Sequence, residues 1–211
     1  MTVALKLDVK SNIKQFTKGL NKVGKSQIPF TTNIAIRNTA FKLREITIND
    51  MDKYIDRPTA LTKKKGVFVE VPKKNKKATP IGFVYFTQLV SSYLKWGIYG
   101  GSRPHKSGRV LPTRNISLNK FGNVINHRNI ISTFRKKKNH FINSTGIFKR
   151  NKTGKATALY IFEKRAVPYK KTFPFFEIMI KRSGNIFDYN FKRTLQFTVD
   201  REQSLINKGI R

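Results

Sequence analysis

Two carboxylates four residues apart, Asp52 and Asp56, are the first candidates for chemistry in this chain. On a helix that spacing puts both on one face, where they could hold a divalent cation or share an acid–base step. Their neighbours offer a plainer role. Lys53 and Arg57 stand beside them, and solvated ion pairs near a helix end use the same spacing. Neither a histidine nor another spaced carboxylate completes a nuclease pattern. His105, His127 and His140 lie far apart and lack ligand spacing. The chain has no cysteine, which excludes disulfides and thiolate metal sites. No nucleophile elbow, P-loop or GxGxxG occurs. The expectation is a non-enzymatic protein with no catalytic residues, no metal site and no cofactor.

A second candidate is the stretch YGGSRPHKSGRV, residues 99–110. Glycines beside an arginine can cradle a phosphate, but such a cradle opens a helix so that backbone N–H groups face the anion. Here Pro104 and Pro112 follow and no helix start is readable. The better expectation is that Gly100 and Gly101 supply positive φ or close backbone approach, and that Arg103-Pro104 fixes the chain's exit.

Charge is the strongest compositional signal. Lys and Arg number 44 against 11 Asp and Glu, a formal net charge of +33. Such a chain repels its own copies and draws polyanions. The basic runs are Lys63-Lys64-Lys65, Lys73-Lys74, Lys76-Lys77, Arg135-Lys136-Lys137-Lys138, Lys149-Arg150 and Lys170-Lys171. They are spread along the chain rather than gathered in one recognition module. Lysine outweighs arginine, whereas bidentate base reading favours arginine. The pattern therefore points to sequence-independent contact with DNA or an acidic partner through Lys63–Lys65, Lys73, Lys74, Lys76, Lys77 and Arg135–Lys138; solvated loops are the alternative. No run of about 20 apolar residues is present, so no membrane contact is expected. Lys6, Asp8 and Lys10 interrupt the apolar segment that a signal peptide would need.

The elements that must position these residues follow from hydropathy. Residues 1–25 read as an extended start and a short helix bearing Ile13, Phe16 and Leu20. Ser26 suits an N-cap and Pro29 a first turn, opening a helix from Phe30 to Ile55. Its stripe is Ile34, Phe41, Ile48 and Ile55, widened by Ala40, Leu43 and Met51. It would be about 40 Å long and would end before Pro58. GVFVEV and IGFVYF (81–86) alternate as strands joined by a long basic hairpin tip. VSSYLKW (90–96) reads as a short helix ending at Gly97. Residues 99–127 carry little periodicity and read as irregular. Residues 126–142 read as helical, and GIFKR and ATALYIFEKR as a strand pair around NKTG. The final helix follows FPFFEIMIKRS and places Phe187, Phe191, Leu195 and Val199 on one face. The chain is thus expected to be α+β: an antiparallel sheet packed against a long N-terminal helix and a C-terminal helix, with a long irregular excursion. Residues 1–25 would be an extension, 26–200 a single domain with residues 99–145 as the excursion, and 201–211 a tail.

The order of these segments resembles a known family. A long helix runs into IDRPTALTKKKGVFVE, a strand pair leads to YLKWGIYGGSRPHK, and then come LPTRNISLNKFGNVINHRNI, GIFKR and PYKKTFPFFEIMIKR. Together they resemble the phage minor tail protein Z family, the tail-completion proteins of the head-proximal end of the tail. The resemblance covers residues 26–200. Its more specific pieces are Arg57-Pro58-Thr59, Tyr93-Leu94, Gly100-Gly101, Arg103-Pro104 and Phe121-Gly122-Asn123, which it implies are subunit or partner contacts. It also implies a structural virion protein of the neck or upper tail, present in the host cytoplasm during assembly. Its partners would be copies of itself in a ring, other neck, portal or tail proteins, and the genome DNA. With the positive charge balancing DNA or acidic ring partners, assembly should weaken at high salt. The alternative is a sequence-independent nucleic-acid-binding protein.

Overall fold

The structure is a computed structural model and describes residues 4–8, 22–71, 80–103, 109–125, 130–135 and 137–208. The expected short helix at Ile13, Phe16 and Leu20, the hairpin tip with Lys73, Lys74, Lys76 and Lys77, Pro104, His105, His127 and Lys136 lie outside these residues.

The chain is α+β, as expected, with a long N-terminal helix, a long C-terminal helix and antiparallel sheets, one of which takes in a strand that precedes the first helix. Strand β1 (Ala4–Asp8) is followed by helix α1 (Lys22–Tyr54) and the hairpin β2 (Val67–Glu70) and β3 (Ile81–Phe86). Helix α2 (Gln88–Tyr99) comes next, then β4 (Gly101–Arg103) and β5 (Arg109–Pro112). The short helix α3 (Ile130–Arg135) precedes β6 (His140–Ile142), β7 (Gly146–Arg150), β8 (Ala156–Glu163) and β9 (Val167–Tyr169). Helix α4 (Phe175–Asn207) closes the chain.

The alternation read in GVFVEV and IGFVYF is explained by their placement. Val67, Val84 and Phe86 are buried while Phe68 and Glu70 are exposed. Both strands sit in one sheet of order β1-β3-β2, with Val67 opposite Phe86 and Leu5 opposite Val84. Helix α1 lies across this sheet, and Ile36 and Ala40 pack over Gly82. Phe86 is the hub of the larger core. Its ring meets Phe173 at 6.3 Å and Phe175 at 4.9 Å, with Leu43, Met51, Val90, Leu94 and Ile98 around them.

Helix α1 begins at Lys22, so Ser26 and Pro29 fall inside it rather than at its start. An interior proline removes one N–H bond and its ring crowds the carbonyl four residues back, yet the helix continues through Pro29. At 33 residues α1 is about 50 Å long. Its buried stripe is also displaced from the expected one. Phe41 is 47% exposed, while Thr32, Thr39, Thr47 and Asp50 are buried. The cause is that α1 has two neighbours: the sheet takes Ile36, Ala40 and Leu43, and the antiparallel α4 takes the threonine side. Asn190 Nδ2 donates to Thr39 Oγ1 at 3.1 Å, and Thr47 Oγ1 lies 3.5 Å from Met179 Sδ. Threonine suits this seam because its hydroxyl can return a hydrogen bond to its own helix and leave only a methyl facing outward. Thr32, Thr47, Thr194 and Thr198 each donate to the carbonyl four residues before, at 2.7–2.8 Å. Asp50 clamps the pair, with Lys53 at 2.8 Å and Arg182 at 3.2 Å. On α4 the expected face is half-buried at Phe187, Phe191 and Leu195, and Val199 is exposed.

The middle of the chain is more regular than its composition suggested. Residues 109–112 form an edge strand, and residues 140–142 are strand rather than helix, so the sheet β5-β8-β7-β6 is built partly from the expected excursion. The strand pair β7–β8 forms around the expected turn. Phe134, Ile147, Leu159 and Tyr160 fill a second, smaller core.

Candidate assembly surfaces

The Arg57-Pro58-Thr59 turn leaves α1 at a bend. Arg57 has φ +44°, left-handed backbone that a non-glycine residue rarely adopts, rather than the extended backbone that a following proline favours. Three ties hold the loop that follows. Lys63 Nζ contacts Asp52 Oδ2 at 2.5 Å, and Arg44 donates to the carbonyls of Val67 and Lys64, both at 2.8 Å. Thr59 Oγ1 meets Thr62 Oγ1 at 3.1 Å, and Thr62 Oγ1 meets the Tyr93 hydroxyl at 2.8 Å. Helix α2 carries Tyr93 outward and Leu94 inward. Thr87 caps that helix by accepting from the Val90 N–H.

A second turn reaches the same place. Asn119 Oδ1 accepts from the N–H groups of Phe121 at 2.9 Å and Asn123 at 3.0 Å. Gly122, at φ +75°, sits at its apex, and the Arg57 guanidinium lies so close that a Cβ there would be 3.1 Å from Nη2. The fold thus joins Arg57 to the Phe121-Gly122-Asn123 turn directly, and Thr59 to Tyr93 through Thr62. Gly122→Ala is expected to cost about 1–2 kcal/mol, because a Cβ is disfavoured in left-handed backbone and also displaces Arg57. Thermal unfolding of the two proteins measures it.

Asp52 and Asp56 do not form a pair. Helix α1 ends at Tyr54, so Asp56 lies beyond it. Asp52 is taken by Lys63 and Asp56 by Arg57, whose Nη2 lies 2.7 Å from Oδ2. Among the described residues no group of three acidic, histidine or cysteine side chains could hold a metal. The Arg57 hydrogen bond holds the Asp56 carboxyl below the usual aspartate range, and Asp56 in turn raises the Arg57 guanidinium. A carboxylate with a lowered folded pKa contributes fully above its unfolded value and loses that contribution as pH falls through the folded pKa. A carboxyl NMR titration should therefore place Asp56 below ordinary aspartates, and Arg57→Ala should raise it; an unmoved midpoint would show that the pair does not persist in solution.

Gly100 and Gly101 belong to a different feature. Gly100, at φ +73°, ends α2 and donates its N–H to the Trp96 carbonyl at 2.9 Å; Gly101, at φ +104°, opens β4 against Tyr169. The N–H groups of Thr172 and Phe173 bond the Gly97 carbonyl at 2.8 and 3.0 Å. Gly97 lies within the helix, which runs on to Tyr99. This is a helix C-terminus, whose dipole disfavours an anion. Arg103 pairs with Val167. The pair of glycines therefore turns the chain into a strand.

Of the basic candidates, Lys63 is partly buried by its ion pair, whereas Lys64, Lys65, Arg135, Lys137 and Lys138 are exposed. His140 is a β6 residue whose ring packs 5.3 Å from Phe134. Two features escaped the sequence reading. One is an open groove of about 600 Å³ between α1 and α4, lined by Phe41, Glu45, Ile186, Tyr189, Asn190 and Arg193. Phe30 lies eleven residues before Phe41 and Phe197 eleven after Ile186, close to three whole turns in each case, so exposed aromatics extend both walls. The other is that no acidic residue occurs between Glu70 and Glu163, a stretch with nineteen lysines and arginines. That was countable from the sequence.

No family model, no curated protein and no solved structure matches the chain. Among the described residues no helix is long and apolar enough to cross a membrane.

Proposed function

We propose that the chain is a non-enzymatic structural virion protein of a phage neck or upper tail, acting as one subunit of a homo-oligomeric ring. The observation that carries the reading is the groove between α1 and α4, where Phe41 and Tyr189 remain 47% and 64% exposed, with Phe30 and Phe197 exposed farther along the same helices. Clustered exposed aromatics on a chain with filled cores mark a protein-binding surface. The tail-completion-like segments add to it, because Arg57, Thr59, Tyr93 and Gly122 meet at a second surface through contacts that their sequence positions do not require. A groove that meets a different patch on the next copy is heterologous and closes into a ring when its rotation allows.

Copies charged at +33 repel one another. The ring therefore needs DNA, an acidic partner or screening salt. Sedimentation tests this: assembly on DNA or an acidic partner should weaken at high salt, whereas self-association of the purified chain alone should grow with salt as repulsion is screened, and Tyr189→Lys should remain monomeric where the parent assembles. A parent that stays monomeric at every salt counts against self-assembly. The second reading, a sequence-independent nucleic-acid-binding protein, is favoured by the stretch without acidic residues.

A further inference from the structure

The sheet β5-β8-β7-β6 has two unlike faces. One sends Val110, Ile142, Ile147, Tyr160 and Phe162 into the smaller core, where Phe134 of α3 meets Tyr160. The other carries Leu111 opposite Ile161 and Phe141 opposite Phe148. Leu111 is 40% and Ile161 48% exposed, and both phenylalanines are partly exposed. The two rings lie 5.3 Å apart and 15° from parallel, with the Arg150 guanidinium 5.1 Å from the Phe141 centroid. Ala158 is the partner of Phe148 and Ala156 of Arg150, so small side chains flank the rings on β8.

Charge frames this face unevenly. Lys138 precedes β6, Arg150 ends β7, and Lys152 and Lys155 occupy the turn into β8. These exposed cations share one end of the sheet. The acidic residue of these strands, Glu163, lies at the other end, opposite Arg109.

We propose that this face binds single-stranded nucleic acid, with bases stacked on Phe141 and Phe148 and phosphates held by Lys138, Arg150, Lys152 and Lys155. Flat apolar rings beside a cluster of cations are the two parts such recognition needs, since every base offers a π face and every linkage a negative charge. A duplex offers the charge but keeps its base faces covered. A second copy of the chain would bring cations against cations. The inference rests on the charge-based reading and not on the ring.

The test is fluorescence anisotropy of the full chain with labelled oligo(dT), and with a duplex of equal length, over a salt series. The single strand should bind more tightly than the duplex. Phe141→Leu and Phe148→Leu should each weaken it about tenfold with little change in the slope against log salt. Arg150→Gln combined with Lys152→Gln should reduce that slope. Duplex binding that equals or exceeds single-strand binding, or phenylalanine variants that bind like the parent, would overturn the platform while leaving general polyanion binding in place. No binding at any salt would overturn both. Should the variants unfold, ultraviolet crosslinking of bound oligo(dT) to the parent decides: crosslinks within 138–155 support the site, and crosslinks confined elsewhere overturn it.

Discussion

Phe86→Ala is expected to lose about 3–5 kcal/mol, the range for emptying a buried phenylalanine site. The ring is fully buried where the hairpin, α2 and the start of α4 meet, in contact with Phe173 and Phe175. Those neighbours are held by their own backbones. The Phe173 N–H is bonded to Gly97, and the Phe175 N–H to the Phe173 carbonyl at 2.8 Å. They cannot easily close on the cavity. The same residue positions the candidate surface, because its carbonyl accepts from Ser91 Oγ at 3.1 Å, two residues before Tyr93 on α2. Urea unfolding followed by far-ultraviolet circular dichroism measures the loss. Phe68→Ala, on the exposed face of the neighbouring strand, is the control and should lose far less.

Gly146→Ala should lose about 3 kcal/mol, at the upper end for overpacking, and the loss should be local. A Cβ at this position would stand 2.1 Å from the Tyr160 carbonyl oxygen. That oxygen belongs to the backbone of β8, next to the irregularity in the β7–β8 register, so relief requires the strands to part. The smaller core depends on their contact, whereas the larger core does not include them. Hydrogen exchange should therefore quicken across 140–163 while α1 and α4 stay protected, the pattern of a unit that opens separately. Uniform loss of protection would show that the two cores unfold together.

The α+β class, the β2–β3 hairpin and the β7–β8 pair were legible because their alternation is local. The short strands β5 and β6 were not. Arg109–Pro112 is paired by β8, far along the chain, and nothing in RVLP announces that partner. Pro29 misplaced the start of α1, since proline is read as a boundary and here lies within a helix. Threonines hid the α1–α4 seam: Thr39, Thr47, Thr194 and Thr198 score as polar, yet they pack as methyl groups once their hydroxyls are bonded. Phe41, read as core, faces the groove. The positive φ of Gly100 and Gly101, which turn the chain into β4, was legible in the sequence; that of Gly122, at the Arg57 surface, was not read there. The contact of Arg57 with Gly122 was not legible, because only the folded chain brings the two turns together.

The proposed role rests on the chain being a fixed part of a particle, and quantitative mass spectrometry of purified virions tests that most directly. The account predicts a small, constant number of copies per particle, as a closed ring requires. Absence from the particle, or a large number that follows DNA content, would contradict it and leave the nucleic-acid-binding reading in its place.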